Sequence, residues 1–154
     1  QDLHMRNILV AVDFSPVTEK ILQSTSELAG ALGGHVWLIH AAAPDPDFVG
    51  YEAGPTGVRD QVAEELREEH RDLQAHAEAL RKSGLEATAL LVQGPTVELI
   101  LKEADRLNAD LLVIGSHGHG AIHRLLLGSI SEGVLRRSRI PVMIIPAVDR
   151  DSSS

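Results

Sequence analysis

The feature that most constrains this chain is the alternation of short apolar runs with longer amphipathic stretches. Asn7 to Val12 opens it, with Ile8, Leu9, Val10 and Ala11 in unbroken succession and Asp13 and Ser15-Pro16 closing it. A run apolar at every position, not at alternate ones, is what a strand buried on both faces requires. Ile21, Leu22, Leu28, Ala29 and Leu32 then recur at helical spacing up to Gly33-Gly34, so a first helix is expected over about 16–32, opened by the Ser-Pro signal. His35 to Ala41 gives a second strand, and the Pro-, Gly- and Asp-rich stretch from Ala42 to Gly57 a mobile loop.

Val58, Val62, Leu66, Leu73, Ala77 and Leu80 mark one stripe of a second helix from Val58 to Ser83, with Glu64, Glu65, Glu68 and Glu69 on its polar side. Arg81 and Lys82 complement its C-terminal dipole, and Gly84 follows as a cap. The remaining elements are a strand over 85–92, a helix over 95–107, a strand over 110–114, a helix over 129–137 and a strand over 140–145. Strands and helices that alternate in this way build right-handed βαβ units. The expected fold class is therefore α/β, doubly wound, with a five-stranded, mostly parallel sheet in the order 3-2-1-4-5 and helices on both faces. Ligands in such sheets bind beyond the carboxyl ends of the strands where the winding reverses, here the first and the fourth.

Composition agrees. With 154 residues the chain suits one domain, expected over 5–147. Residues 1–4 read as a vector remnant before Met5, and the polar segment 148–154 as a frayed tail. The chain is 44 % hydrophobic but only 3 % aromatic, so its core falls to Val, Ile, Leu and Ala. A formal net charge of −8 argues against nucleic acid as a partner, because neutralising phosphates takes a basic surface. The absence of cysteine rules out disulfides and thiolate metal sites. No apolar run reaches the length of a membrane span, and the N-terminus has no signal-like core, so the expected location is cytoplasmic, with no membrane partner.

The chemistry is expected at Gly115-Ser116-His117-Gly118-His119-Gly120 and at Gly128-Ser129, which opens the fourth helix. Glycines after a parallel strand let backbone N–H groups approach an anion, and a helix N-terminus favours phosphate charge. Ser129 and Ser131 add hydroxyls. The pattern is neither a P-loop nor the dinucleotide fingerprint that follows a first strand. His119 and His123 have i,i+4 spacing, but without cysteines or paired acids they read as loop residues, not metal ligands. His40, inside the second strand, reads as a satisfied core residue. Arg124, Arg136, Arg137 and Arg139 form a basic cluster that fits either an anion-assisting role or a solvated helix face.

The spacing G-x2-G-x9-G-[ST], the first strand with Asp13-Phe14-Ser15, and the closing Arg139-Ile140-Pro141-Val142-Met143-Ile144-Ile145 resemble the universal stress protein family over about residues 6–146. The resemblance implies an ATP-binding branch with an adenine nucleotide alpha hydrolase-like fold. Gly115, Gly118, Gly128 and Ser129 would hold phosphates and ribose, with Ser131 and His117 within reach of the phosphates. Asp13 and Ser15 would lie by the ribose and a nucleotide-bound Mg or Mn, with Asp13 the metal residue. The backbone of Ala41 would meet adenine. No catalytic residue is assigned. The implied function is a nucleotide-responsive regulatory or sensor protein in stress response. The alternatives are a slow ATP hydrolase and a nucleotide-independent dimeric interaction module. Partners would be ATP, a second copy of the chain through the last strand (140–146), and a protein not named by the sequence.

Overall fold

The computed structural model describes residues 6–14, 17–42, 56–116 and 128–146, and the side chains among these except those of 56–62. The elements run β1 (Asn7–Ala11), α1 (Thr18–Leu32), β2 (His35–Ala42), α2 (Thr56–Lys82), β3 (Glu86–Gln93), α3 (Thr96–Arg106), β4 (Leu111–Gly115), α4 (Ser129–Arg137) and β5 (Val142–Ile145). The five strands form one sheet in the order β3-β2-β1-β4-β5. Every neighbouring pair is parallel. This is the expected order, in which the chain winds outward from β1 and then crosses back to β4 and β5.

The central strands are closed to water. Ile8, Leu9, Val10, Leu112 and Val113 are fully buried, as runs apolar at every position demand. Successive side chains point to opposite faces. Ile8, Val10, Leu38 and Val113 pack with Ile21 and Ala29 of α1 and with Leu73, Ala77 and Leu80 of α2. Leu9, Ile39, Leu112 and Ile114 pack with Ile100 and Ala104 of α3 and Val134 of α4. Two helices therefore cover each face.

Element ends differ from expectation for local reasons. The first helix begins at Thr18 after Val17, which makes no side-chain cap; Ser15-Pro16, expected to open it, lie outside the described residues. Gly33 ends the helix as expected, at φ 71° with its N–H on the carbonyl of Ala29. Of the long loop expected over 42–57, Ala42 belongs to β2 and Thr56 and Gly57 belong to α2; residues 43–55 lie outside the described residues. The last strand starts at Val142, because the Ser138 hydroxyl engages the carbonyl and N–H of Ile140 in a turn before the sheet is joined. Glu69, expected on the polar side of α2, instead faces β2. It lies one turn from Leu66 and from Leu73, on the edge of the buried stripe.

Candidate functional site

From β1 the chain turns through α1 towards β2, and from β4 it turns through α4 towards β5, so the carboxyl ends of these adjacent strands part company. A cavity of about 320 Å³ opens there, lined by residues from both strand ends and from β2, α1, α3 and α4. Its volume lies at the lower end of the ~300–1,000 Å³ typical of small-molecule sites. Asp13, Ala41, Gly115, Gly128, Ser129 and Ser131 all line it. Ser15, His117 and Gly118, the other expected site residues, lie outside the described residues, as do His119, Gly120, His123 and Arg124.

The β1 side is built by a strand that stops pairing early. The N–H of Val12 still donates to the carbonyl of Ile39 at 2.8 Å. Phe14 then takes φ 60°, a left-handed conformation uncommon for a bulky residue, which turns the chain sharply just after Asp13. Ala41, at the end of β2, borders the cavity beside this turn.

The β4 side is built by hydrogen bonds that clamp both ends of the glycine-rich segment. The N–H of Ser116 donates to the carbonyl of Ile145 at 2.9 Å, carrying the β4–β5 pairing one residue past the strand. The N–H of Gly128 donates back to the carbonyl of Ser116 at 2.7 Å, and the Ser131 hydroxyl donates to the carbonyl of Gly115 at 2.5 Å. The chain thus leaves the sheet at Ser116 and returns against the same place at Gly128. There Gly128 adopts an extended conformation and α4 begins without a side-chain cap. The first helical bond of α4 runs from the N–H of Glu132 to the carbonyl of Gly128, which leaves the amides of Ser129, Ile130 and Ser131 ahead of the helical ladder. Such amides, with the helix dipole behind them, form an anion-accepting end.

The remaining walls divide by chemistry. Ile39, Ile100, Ile114 and Ile130 supply an apolar surface suited to a planar ring. Asp13 supplies a carboxylate and Ser129 a hydroxyl. Among the described residues no group of three or more His, Cys, Asp or Glu side chains is placed to hold a metal ion.

Two polar lining residues escape the sequence reading. Thr96, the first residue of α3, borders the cavity after the turn at Gly94 and Pro95. His40 also lines it. The expectation that His40 is satisfied is correct, since its Nδ1 lies 2.7 Å from the carbonyl oxygen of Val12 and its Nε2 3.1 Å from Glu69 Oε2. The missed signal is on α2, where Glu69 and His76 interrupt the apolar spacing and both reach this corner. The described members of the arginine cluster lie elsewhere. Arg136 pairs with Glu132 and Arg137 approaches Glu98, and Arg137 and Arg139 border a separate hollow beside Asp105.

Fold and cavity together define a doubly wound α/β domain whose ligand site lies at the switch point of its sheet, flanked by glycines and the open end of a helix. The chain belongs to the universal stress protein family, whose model matches residues 4–146. A universal stress protein of Thermus aquaticus is 32 % identical over 143 residues, covering 91 % of this chain and 98 % of that protein. Among solved structures, the protein MJ0577 of Methanocaldococcus jannaschii superposes with a TM-score of 0.80 at 24 % identity, over 96 % of this chain and 99 % of that one. The universal stress protein from Archaeoglobus fulgidus, solved in complex with dAMP, superposes with a TM-score of 0.62 at 24 % identity, over 93 % of this chain and 99 % of that one. At these identities the two structures establish the likeness of fold. No helix among the described residues is long and apolar enough to cross a membrane.

Proposed function

We propose that this universal stress protein binds ATP in the switch-point cavity and acts as a nucleotide-responsive regulatory protein. The observation that carries the reading is convergence. Asp13, Ala41, Gly115, Gly128, Ser129 and Ser131 come from four separate parts of the chain and border one cavity. The isoleucine walls suit a purine, and the Asp13 carboxylate suits a ribose hydroxyl or a phosphate-bound Mg or Mn. The amides of the first turn of α4, with the Ser129 hydroxyl, suit phosphate. In this reading Ser131 positions the phosphate-binding turn through Gly115, and Ser15, His117 and Gly118 complete the site. A protein of the same fold is solved with dAMP, which agrees with an adenine ligand.

The reading includes a homodimer through residues 140–146, since β5 lies at the edge of the sheet and an unpaired edge accepts another strand. Occupancy would then act on a partner protein through the differential affinity of ATP for two conformations.

Thermal unfolding with ATP and a divalent metal, against GTP and AMP, tests the central claim. ATP at about 100 times its dissociation constant adds about 2.7 kcal/mol, and each kcal/mol raises the midpoint by about 2–4 °C. A shift of several degrees specific to ATP is expected. No shift at millimolar ATP, after removal of co-purified nucleotide, overturns the reading in favour of a nucleotide-independent module. Phosphate release in the same samples separates binding from hydrolysis, and light scattering reads the dimer.

A further inference from the structure

His40 joins three parts of the molecule. Its ring stands on β2, its Nδ1 meets the carbonyl of Val12, and its Nε2 meets a carboxylate oxygen of Glu69 on α2. A carbonyl oxygen has no hydrogen to give, so Nδ1 is the donor to Val12. Nε2 then faces a carboxylate, which when ionised is also an acceptor. The contact is satisfied only when it contains one further proton, on Nε2 or shared with Glu69. Once that proton is lost, a nitrogen lone pair faces a carboxylate oxygen and the contact turns repulsive.

The surroundings make this consequential for the cavity. The His40 side chain is 11 % exposed and that of Glu69 35 %, so the pair is partly shielded from water. The Phe14 ring lies 4.5 Å from the His40 ring, measured between centroids. His40 therefore holds the residue before Asp13 by a hydrogen bond and packs against the residue after it. Among the described residues, the titratable groups about this corner are Glu69, His76, whose ring centroid lies 6.3 Å from that of Phe14, and Asp13, which lines the same cavity. From α1 and β3 the neighbours are Ile21, which lines the same cavity, and Leu91, beside His40 in register.

We propose that His40 and Glu69 form a proton-dependent clamp that ties the Val12–Asp13 end of β1 to α2 and so positions the nucleotide cavity. The proposal rests on the nucleotide reading for its effect on affinity, and on geometry alone for the clamp itself. The clamp is closed while the contact holds its proton and released when that proton is lost.

The test compares the wild type with Glu69→Gln across about pH 5.5 to pH 8.5. A glutamine amide accepts from a protonated Nε2 through its oxygen and donates to a neutral Nε2 through its nitrogen, so this variant keeps the tie at either end. ATP affinity of the wild type, divided by that of the variant, is expected to fall by about threefold or more as pH rises, the worth of roughly one net hydrogen bond. The ionisation of ATP itself affects both proteins alike and cancels. A ratio that stays flat while both proteins bind overturns the clamp. Backbone amide NMR signals of α2 around Glu69 supply a readout independent of the ligand. They are expected to shift as pH rises and the tie is released in the wild type, and to shift less in the variant, which keeps the tie. If neither protein binds ATP, the nucleotide reading has failed and these signals decide the clamp alone: wild-type signals that shift no more than the variant's overturn it.

Discussion

The Ser131 hydroxyl donates to the carbonyl of Gly115 across 16 residues of sequence, at 2.5 Å and in a buried setting. It fastens α4 to the end of β4 at the point where the glycine-rich segment leaves the sheet. Ser129, two residues earlier, borders the cavity and makes no such tie to Gly115 among the hydrogen bonds of the described residues. The two serines should therefore separate in the absence of nucleotide. Ser131→Ala is expected to lower stability by about 1–2 kcal/mol, the cost of a buried acceptor that loses its donor. Ser129→Ala should stay within about 0.5 kcal/mol of the wild type. Urea unfolding of the ligand-free proteins checks both, and equal losses would refute the assignment of Ser131 as a tie.

Thr25 is fully buried on the core side of α1, and its hydroxyl has no hydrogen-bond partner. An unsatisfied buried polar group costs about 1–3 kcal/mol. Replacing the hydroxyl with a methyl of similar size removes that cost and keeps the β-branched shape. Thr25→Val should accordingly raise stability by about 1 kcal/mol, read as a higher urea midpoint with an unchanged slope. A loss of stability would mean that the hydroxyl is satisfied in solution.

His35 lies at the opposite end of the sheet from the cavity, stacked on Trp37 with ring centroids 4.2 Å apart and with Nε2 2.8 Å from the Thr88 hydroxyl. Burial holds its proton affinity below the ordinary imidazole range, although Glu86 pulls the other way; Arg81 adds to the lowering. The folded chain thus binds this proton less readily than the unfolded chain. Stability is fully present above the ordinary value of 6.5 and declines as pH falls through it towards the lower folded value. His35→Gln should flatten that decline. Unfolding midpoints for both proteins between about pH 7.5 and pH 5 report it, and parallel curves would count against the burial argument.

Much of this architecture is legible in the sequence because buried parallel strands leave a one-dimensional trace. The run Ile8 to Ala11 and the run Leu111 to Ile114 can be little else, and Gly33 marks a helix end that requires a left-handed residue. The site is legible where chemistry and topology coincide, as at Gly128-Ser129. It is illegible where the cavity borrows from elements that the strand order alone does not bring there. Nothing near Thr96 states that the start of α3 borders the ends of β1 and β4. His40 looks like one more strand residue until its partner Glu69, 29 positions away, is seen beneath it. Glu69 itself reads as solvated because its neighbours Glu65 and Glu68 are, although its helical position lies on the buried edge.

Thr96 yields the last prediction. Gly94, at φ 138°, takes a conformation that side chains rarely adopt, and a Cβ there would meet Leu99 Cδ1 at 3.2 Å. This turn delivers Thr96 to the cavity wall as the first residue of α3, beside Ile100 one helical turn on. On the nucleotide reading, its hydroxyl would offer a donor and an acceptor to a base or ribose. On the proposed reading, Thr96→Val weakens ATP binding by about three- to tenfold, the worth of one net hydrogen bond. Thr96→Ser, which keeps the hydroxyl, stays near the wild type. Isothermal titration of the three proteins measures the effect, and ligand-free unfolding midpoints show whether the fold is intact. Equal affinities for wild type and valine variant would leave Thr96 as wall and place polar recognition on Asp13, Ser129 and the backbone amides.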